Sequence, residues 1–500
     1  MTQLVDALVA IIGRNQPITA ITEAITLAQS HDWTPQARAQ LVERVRLEKV
    51  VIQAYTNALS LQTQQPTTVL SELLDALQAD YARRRHFTET IMPGVRQEIS
   101  RALAEARVRF LFIKGSSLDD YPHGQRRQMN DLDVMLADWD SLFRAAKVLQ
   151  LHGYQFCEVS EEVPWIMRIA LTEEPISQMV GHFTMLRFEG EQEIAIDLHT
   201  MPFMVGECGP LTSDMWQRAV GLTPRLEDKL LILIAHAANH GYFLRKDLND
   251  AYALLLSVSA DFDWRYFETC ILRSNLAFAA VYALDRVESD YGLACAPGAV
   301  KARLARHKER LCAAGLKWIS QRGRQNLTWA GRGMVALYTL AYEQARHGGW
   351  RGAVAATHYC ARWLRFALLQ ENLWGGVGDR EAVREYLHSR KARLFPSVSL
   401  GRQLFIVPAT AVCDDLDEAQ LVACQQTPAP LLLDRLRQAQ PAVTLQLIGP
   451  YTLFVGLESA EIIITPVGIF VPTVDAVFMA EELSGLETLL HTVLDTCVAA

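Results

Sequence analysis

No apolar run in this 500-residue chain approaches the ~20 residues that a membrane-spanning helix needs; the longest, at 230–235 and 462–472, fall well short. No basic n-region opens it either. The first residues, MTQLVDALVAIIGR, carry Asp6 and read as an amphipathic helix, so no signal peptide is expected and the chain is placed in the cytoplasm. Its nine cysteines are scattered singly with no C-x-x-C pair, which argues against a disulfide framework or a thiolate zinc site and leaves them as buried thiols. There is no internal repeat and no low-complexity tract. What is present is 50% hydrophobic and 21% charged, the composition of a soluble globular protein and not of a disordered or fibrous one. The length exceeds one ordinary core, since cores stop growing near ~250 to 300 residues, so two to four domains are expected.

The net charge of −8 would repel a polyanion, but its distribution is uneven. Residues 301–365 hold thirteen Lys/Arg against Glu309 and Glu343, whereas 401–500 hold twelve Asp/Glu against Arg402, Arg435 and Arg437. Hydrophobic period divides the chain further. Up to about residue 105 the apolar spacing is three and four, with polar breaks at NQP, HDWTP and TQQPTT, which predicts a helical region. A short apolar run at 108–113 is followed by Gly115-Ser116-Ser117 and by the strand NDLDVML; a helix over 138–151 and paired strands HFTMLRFEG and EQEIAIDLHT complete a small α/β unit. Residues 222–393 return to helical spacing. The last hundred read as strands, LFIVPATAV, TLQLIGPYTLFVGL and AEIIITPVGIFVP, closed by a helix. The expected fold is α+β: a helical region 1–105, a mixed-sheet core 106–205, a helical region 206–396 and a C-terminal α+β domain 397–500.

Chemistry concentrates in the core. Asp131 and Asp133 alternate along an apolar strand, so both carboxylates face one way while Leu132 and Val134 turn inward. Two such carboxylates suit a hard divalent cation, Mg²⁺ or Mn²⁺ in its place, because Mg²⁺ takes one or two carboxylates plus substrate phosphates. Upstream, Lys114-Gly115-Ser116-Ser117 follows a strand and precedes Leu118-Asp119-Asp120-Tyr121, where a helix could start; backbone N–H groups at such a turn form an anion cradle. Alone, either signal is weak. Asp197, in EIAIDLHT, projects from the same strand face as Ala195 and His199, and a neighbouring strand carrying it would complete a three-carboxylate site suited to in-line nucleotidyl transfer.

These residues, in this order, resemble the uncharacterised bacterial nucleotidyltransferase family of the superfamily that shares its minimal fold with DNA polymerase β. IKGSSLDDYPHGQRRQMNDLDVML is similar to its Lys-Gly, Tyr-Pro, Arg and Asp-x-Asp run, IDLHT to its Asp-Leu-His element, and LIAHAANHGYFLRKDLNDAYALL to its His-rich helix with a closing Asp. Thr200 stands where the family usually has an aromatic residue. The resemblance covers about residues 5 to 270 and leaves out the last hundred. It implies that Gly115 and Ser116 hold the β and γ phosphates of an NTP, that Asp131 and Asp133 bind metal, and that Asp197 completes the site. Lys114 and Arg127 are phosphate partners in this reading and surface partners of Asp119 or Asp120 in the plainer one.

The expected activity is Mg²⁺-dependent transfer of an NMP from an NTP to a hydroxyl, phosphate or carboxylate acceptor, with release of pyrophosphate. A toxin-like transferase acting on tRNA or a protein side chain, and a nucleotide-binding scaffold without turnover, are the alternatives. Cations interleaved with Trp318, Trp329, Tyr338, Tyr342, Trp350, Tyr359 and Trp363 motivate tRNA, although a charge run is usually a solvated helix face. His236 and His240 lie four apart on a helix as metal ligands or phosphate contacts, or as a packed helix–helix contact; the packed contact is preferred because no Glu follows His236. His199 orients Asp197 or the acceptor, or caps a sheet edge.

Overall fold

A computed structural model describes residues 2–322, except 17–22, 30–32, 119–120, 123–125, 157–166, 171–180, 191, 201–212, 260, 295 and 308–309, and residues 403–498, except 410–412, 414–415, 441, 458–459 and 475–479. In chain order the elements are α1 (Thr2–Ile12), α2 (Glu23–Gln29), α3 (Pro35–Leu47), α4 (Val51–Gln64), α5 (Thr68–His86) and α6 (Met92–Glu105), then β1 (Phe110–Phe112), β2 (Asp131–Leu136), α7 (Trp139–Leu151), β3 (Gln155–Phe156), β4 (Met167–Ala170), β5 (Gly181–Glu189) and β6 (Gln192–His199). Helices α8 (Ser213–Arg218), α9 (Leu226–His240), α10 (Arg245–Leu256), α11 (Trp264–Arg273), α12 (Ala277–Tyr291), α13 (Gly298–His307) and α14 (Arg310–Arg322) follow. The C-terminal part holds β7 (Gln403–Pro408), α15 (Glu418–Gln426), α16 (Ala429–Ala439), β8 (Thr444–Gly449), β9 (Thr452–Leu457), β10 (Ala460–Thr465), β11 (Gly468–Val474) and α17 (Ala480–Val498). The fold is mixed helix and strand, with the sheet core between helical regions. Among the described residues, no helix is long and apolar enough to cross a membrane. The part of the second helical region beyond 322, with Trp329 and the later aromatics, lies outside the described residues.

The chain gathers into two compact units, the first from the described residues of 1–98, 112–132 and 207–352, the second from those of 99–111, 133–206 and 353–500. In the first, α1 to α5 bury one apolar cluster that includes Leu8, Ile12, Leu41, Leu61 and Leu77. Its polar breaks act as caps: Thr34 Oγ1 accepts from Ala37 N at 3.3 Å with Pro35 opening α3, and Thr67 Oγ1 accepts from Leu70 N at 3.2 Å. Buried amides join this bundle to α10 and α12. Asn249 accepts from Asn15 N at 2.9 Å and from the Tyr291 hydroxyl at 2.6 Å, and donates to Gly13 O at 2.8 Å. Arg245 is held by Asp290 at 2.7 Å, and its backbone N–H donates to Glu48.

In the second unit the strands form one sheet in the order β1-β2-β6-β5-β4-β7-β11-β10-β9-β8, with β3 paired to β5. The β5–β6 hairpin has the register expected of its alternating residues, closing at Glu189↔Gln192 with Gly190 at φ +63°, where a glycine relieves the strain. Strand β4 pairs antiparallel with β7, Arg168 opposite Phe405, so the C-terminal strands continue the sheet that begins in the core. Helix α7 starts where Asp138 accepts from Ser141 N at 2.7 Å. Its buried Phe143 stacks on Phe470 with centroids 6.0 Å apart, and Asp140 accepts from Tyr451 N at 3.0 Å. A second apolar cluster, including Leu432, Val455, Ile462, Leu489 and Val493, lies between β9, β10 and the helices α16 and α17. Cys424 and Cys497 form a disulfide with Cα atoms 5.2 Å apart, which corrects the expectation of lone thiols there. Their separation of 73 residues gives no motif by which the pair could be read.

Asn249 closes three buried hydrogen bonds between distant segments. Asn249→Ala leaves Asn15 N, Gly13 O and the Tyr291 hydroxyl without it, at a cost of about 2 to 4 kcal/mol. Denaturant melting followed by circular dichroism should show a lowered midpoint; a loss below about 1 kcal/mol would show that the three contacts relax onto other partners.

Candidate functional site

Strand β2 carries Asp131 and Asp133 on one side while Leu132 and Val134 are fully buried on the other, and β6, its neighbour in the sheet, carries Asp197 and His199. In the second unit, Asp133, Asp197 and His199 bring one ligand atom each to within 4.8 Å of one another. His199 Nε2 lies 3.1 Å from Asp133 Oδ1, and both side chains are buried. Across the hairpin, Thr184 sits in register with Asp197 and its hydroxyl donates to Asp197 Oδ1. Asp131 stands two residues before Asp133 on β2 and is not one of the three.

This donor set fits a divalent cation. Ligands at 2.0 to 2.1 Å on adjacent corners of an octahedron are about 3 Å apart, close to the 3.1 Å between His199 Nε2 and Asp133 Oδ1. A buried Asp133 carboxylate and a half-buried Asp197 carboxylate side by side repel each other, and a cation between them offsets both that repulsion and the loss of hydration. The imidazole widens the choice of metal, since nitrogen ligands suit Mn²⁺ and later metals better than they suit Mg²⁺. His199 was legible only as an i+2 neighbour of Asp197 on the same strand face; its contact with Asp133 was not.

The first unit holds the glycine-serine turn. Residues Lys114–Ser117 form a single 3₁₀ turn in which Ser116 N donates to Ile113 O at 3.1 Å and Leu118 N to Gly115 O at 3.2 Å. Leu118 is extended, and residues 119–120, where the sequence suggested that a helix could start, lie outside the described residues. Lys114 is held at φ +48°, a region that costs a non-glycine residue about 1 kcal/mol or more. The Ser117 hydroxyl donates to Lys114 O at 2.8 Å, and Lys229 Nζ, from α9, donates to Ser117 O at 2.6 Å.

Arg127 packs against this turn: a Cβ placed on Gly115 would fall on its guanidinium. Instead of a surface partner, Arg127 has Asp250 of α10, in a buried fork of 2.9 Å from Nε to Oδ1 and 3.0 Å from Nη2 to Oδ2. Tyr121 also donates to Asp250 Oδ1. Burial opposes the charge on Arg127, but Asp250, Tyr121 and Asp131 more than offset this, and its pKa is held above the usual value. Burial and the Asp250 charge push the Tyr121 phenol well up, so it serves as a neutral donor. Asp119 and Asp120 lie outside the described residues.

His236 lies on α9; burial opposes the charge on Asp247 of α10, but Lys246 beside it helps to hold that carboxyl below its usual pKa. The His240 side chain lies outside the described residues. In the basic stretch, Lys301 pairs with Asp285 at 2.7 Å and with Glu288, and Arg303 forms a fork with Glu268, so both cations are occupied within the helices. The basic residues beyond 322 lie outside the described residues.

Gly115→Ala drives a methyl group into a guanidinium that Asp250 pins from behind, so either the turn or the ion pair must move. A destabilisation of about 1 to 3 kcal/mol is expected from calorimetry or denaturant melting, and an unchanged midpoint would show that the guanidinium yields freely.

No curated protein and no solved structure matches the chain. A family model does. The match begins at residue 32 in the first helical region, takes in the Gly115 turn, Asp131, Asp133, Asp197 and Asp250, and stops at residue 290, short of the C-terminal strands. Because residues 32–290 are just over half of the 500, and include both clusters described above, the chain belongs to the uncharacterised nucleotidyltransferase family.

Proposed function

We propose that the protein transfers an NMP from an NTP to a hydroxyl, phosphate or carboxylate acceptor and releases pyrophosphate, with Asp131, Asp133 and Asp197 as its acidic residues. The observation that carries this reading is the group of Asp133, Asp197 and His199 on neighbouring strands, with Asp133 and His199 buried and Asp197 half-buried. Family membership supports nucleotide transfer in general.

In this reading Asp133 and Asp197 hold a divalent cation, Mg²⁺ or Mn²⁺, with Asp131 contributing from the same strand. When bound, the cation neutralises phosphate charge and aligns the acceptor oxygen with the α-phosphorus. Asp197 lies by the attacking hydroxyl and takes up its proton, while Thr184 fixes that carboxylate's orientation. The acceptor oxygen bonds to the α-phosphorus as the bond to the β-phosphate oxygen breaks. Gly115 and Ser116 receive the β and γ phosphates, and Lys114 and Arg127 offset the charge that gathers on departing pyrophosphate. His199, buried beside Asp133, would add a nitrogen to the donor set around that cation.

Purified protein incubated with α-labelled NTPs, Mg²⁺ or Mn²⁺ and cell extract should pass label to an acceptor. Asp133→Asn and Asp197→Asn should each lower transfer by at least about 100-fold, or about 2.7 kcal/mol, with the fold preserved by circular dichroism. Transfer at the wild-type rate in either variant would place the chemistry elsewhere. Tight NTP binding by the wild type with no label transferred to any acceptor would favour the scaffold alternative.

A further inference from the structure

Three parts of the sequence meet around one carboxylate. Asp250 sits in α10, 123 residues after Arg127, and both its oxygens are spent on groups from the loop that follows the Gly115 turn: Oδ1 accepts from Arg127 Nε at 2.9 Å and from the Tyr121 hydroxyl, and Oδ2 accepts from Arg127 Nη2 at 3.0 Å. Arg127 Nη1 donates to Gln128 O at 3.3 Å, which leaves one N–H on Nη1 and one on Nη2. Those nitrogens are the atoms that a Cβ on Gly115 would strike. The fork therefore fixes how the guanidinium lies against the Lys114–Ser117 turn, and Lys229 holds the far end of the same turn through Ser117 O.

A plain stabilising ion pair would need neither the glycine nor the phenol. A fork geometry is rigid in a way that a single charge contact is not, and a side chain pressed on a glycine fixes the backbone it touches. We propose that Asp250 is a positioning residue for nucleotide binding: it sets the Arg127 guanidinium against Gly115, so that the turn is held in the form that receives NTP phosphates. Asp250 touches no phosphate itself. The inference rests on the nucleotidyltransferase reading above and adds to it a residue that acts only through Arg127.

The test measures binding of each Mg·NTP, binding of Mn²⁺ alone by electron paramagnetic resonance, and steady-state kinetics, in the full-length protein and in Asp250→Asn. The amide keeps the size and one acceptor but turns a donor toward the fork. For the tightest-binding NTP, Kd should rise at least about 10-fold and kcat/KM should fall by at least as much, while Mn²⁺ affinity should stay within about twofold. A purely stabilising role would lower the melting temperature and leave Kd where it was. Folded Asp250→Asn that binds Mg·NTP as the wild type does overturns the inference. Should Asp250→Asn fail to fold, Tyr121→Phe decides: it removes one bond to Asp250 and keeps the ion pair, so a Kd rise of about threefold supports the inference and an unchanged Kd overturns it. A wild-type protein that binds no Mg·NTP overturns the nucleotidyltransferase reading as well, which separates the two failures.

Discussion

Side chains on a strand alternate between two sides, and the core of this protein depends on that constraint. Along β2 and β6 every second residue is aliphatic and buried, Leu132 and Val134 on one strand, Ile194, Ile196 and Leu198 on the other. The intervening positions must then face the opposite side, and there the chain places Asp131, Asp133, Asp197 and His199. A shift of one residue in either strand would send the carboxylates into the apolar layer and the aliphatics out of it. The free energy of burying Leu, Val and Ile thus selects the register in which Asp133 and Asp197 approach each other. Like charges alone would never choose it.

The same alternation explains what could be read from the sequence. The strand LDVML, the hairpin closing at Gly190, the helix capped by Asp138 and the bundle broken at Thr34 and Thr67 are written in patterns that repeat within a few residues. Placing Asp133 and Asp197 on neighbouring strands also followed from pattern, helped by the order of motifs in the resembled family. What could not be read involves partners far apart. Arg127 read as a phosphate partner or, more plainly, as a surface partner of Asp119 or Asp120, because no signal within a few residues pointed to Asp250. His199 looked free to serve Asp197 or the sheet edge, whereas the pairing of β2 beside β6 delivers it to Asp133. The pairing of β4 with β7 and the bond between Cys424 and Cys497 are likewise set by the folded arrangement, and periodicity is blind to both.

Charge is buried in the first unit on strict terms. Arg127 with Asp250, and Arg245 with Asp290, are buried, and each carboxylate has further partners, the Tyr121 hydroxyl on Asp250 and Arg286 with the Ser289 hydroxyl on Asp290. Such pairs contribute little net stability over an apolar substitute, but breaking one is costly because the other charge is stranded. They specify geometry more than they add strength. Around Gly115 that geometry is unusually exacting, since the turn has a residue at positive φ, a guanidinium in contact with a Cα and an ammonium on a backbone carbonyl.

Each compact unit is assembled from segments that are not contiguous, and this has a bearing on how the protein is made. A ribosome emits residues in order at roughly 5 to 20 per second. Arg127 therefore leaves the exit tunnel roughly 6 to 25 s before Asp250, 123 residues later, and Gly13 and Asn15 wait longer still for Asn249 and Tyr291. During that interval α1 to α5 can gather their apolar cluster, but the polar seam meant for α10 and α12 has no counterpart. The nascent chain presents a guanidinium and several amides destined for burial to water or to whatever binds it. Completion of the first unit is thus postponed until α12 has emerged, which makes the nascent intermediate, more than the finished protein, the species that needs protection from association.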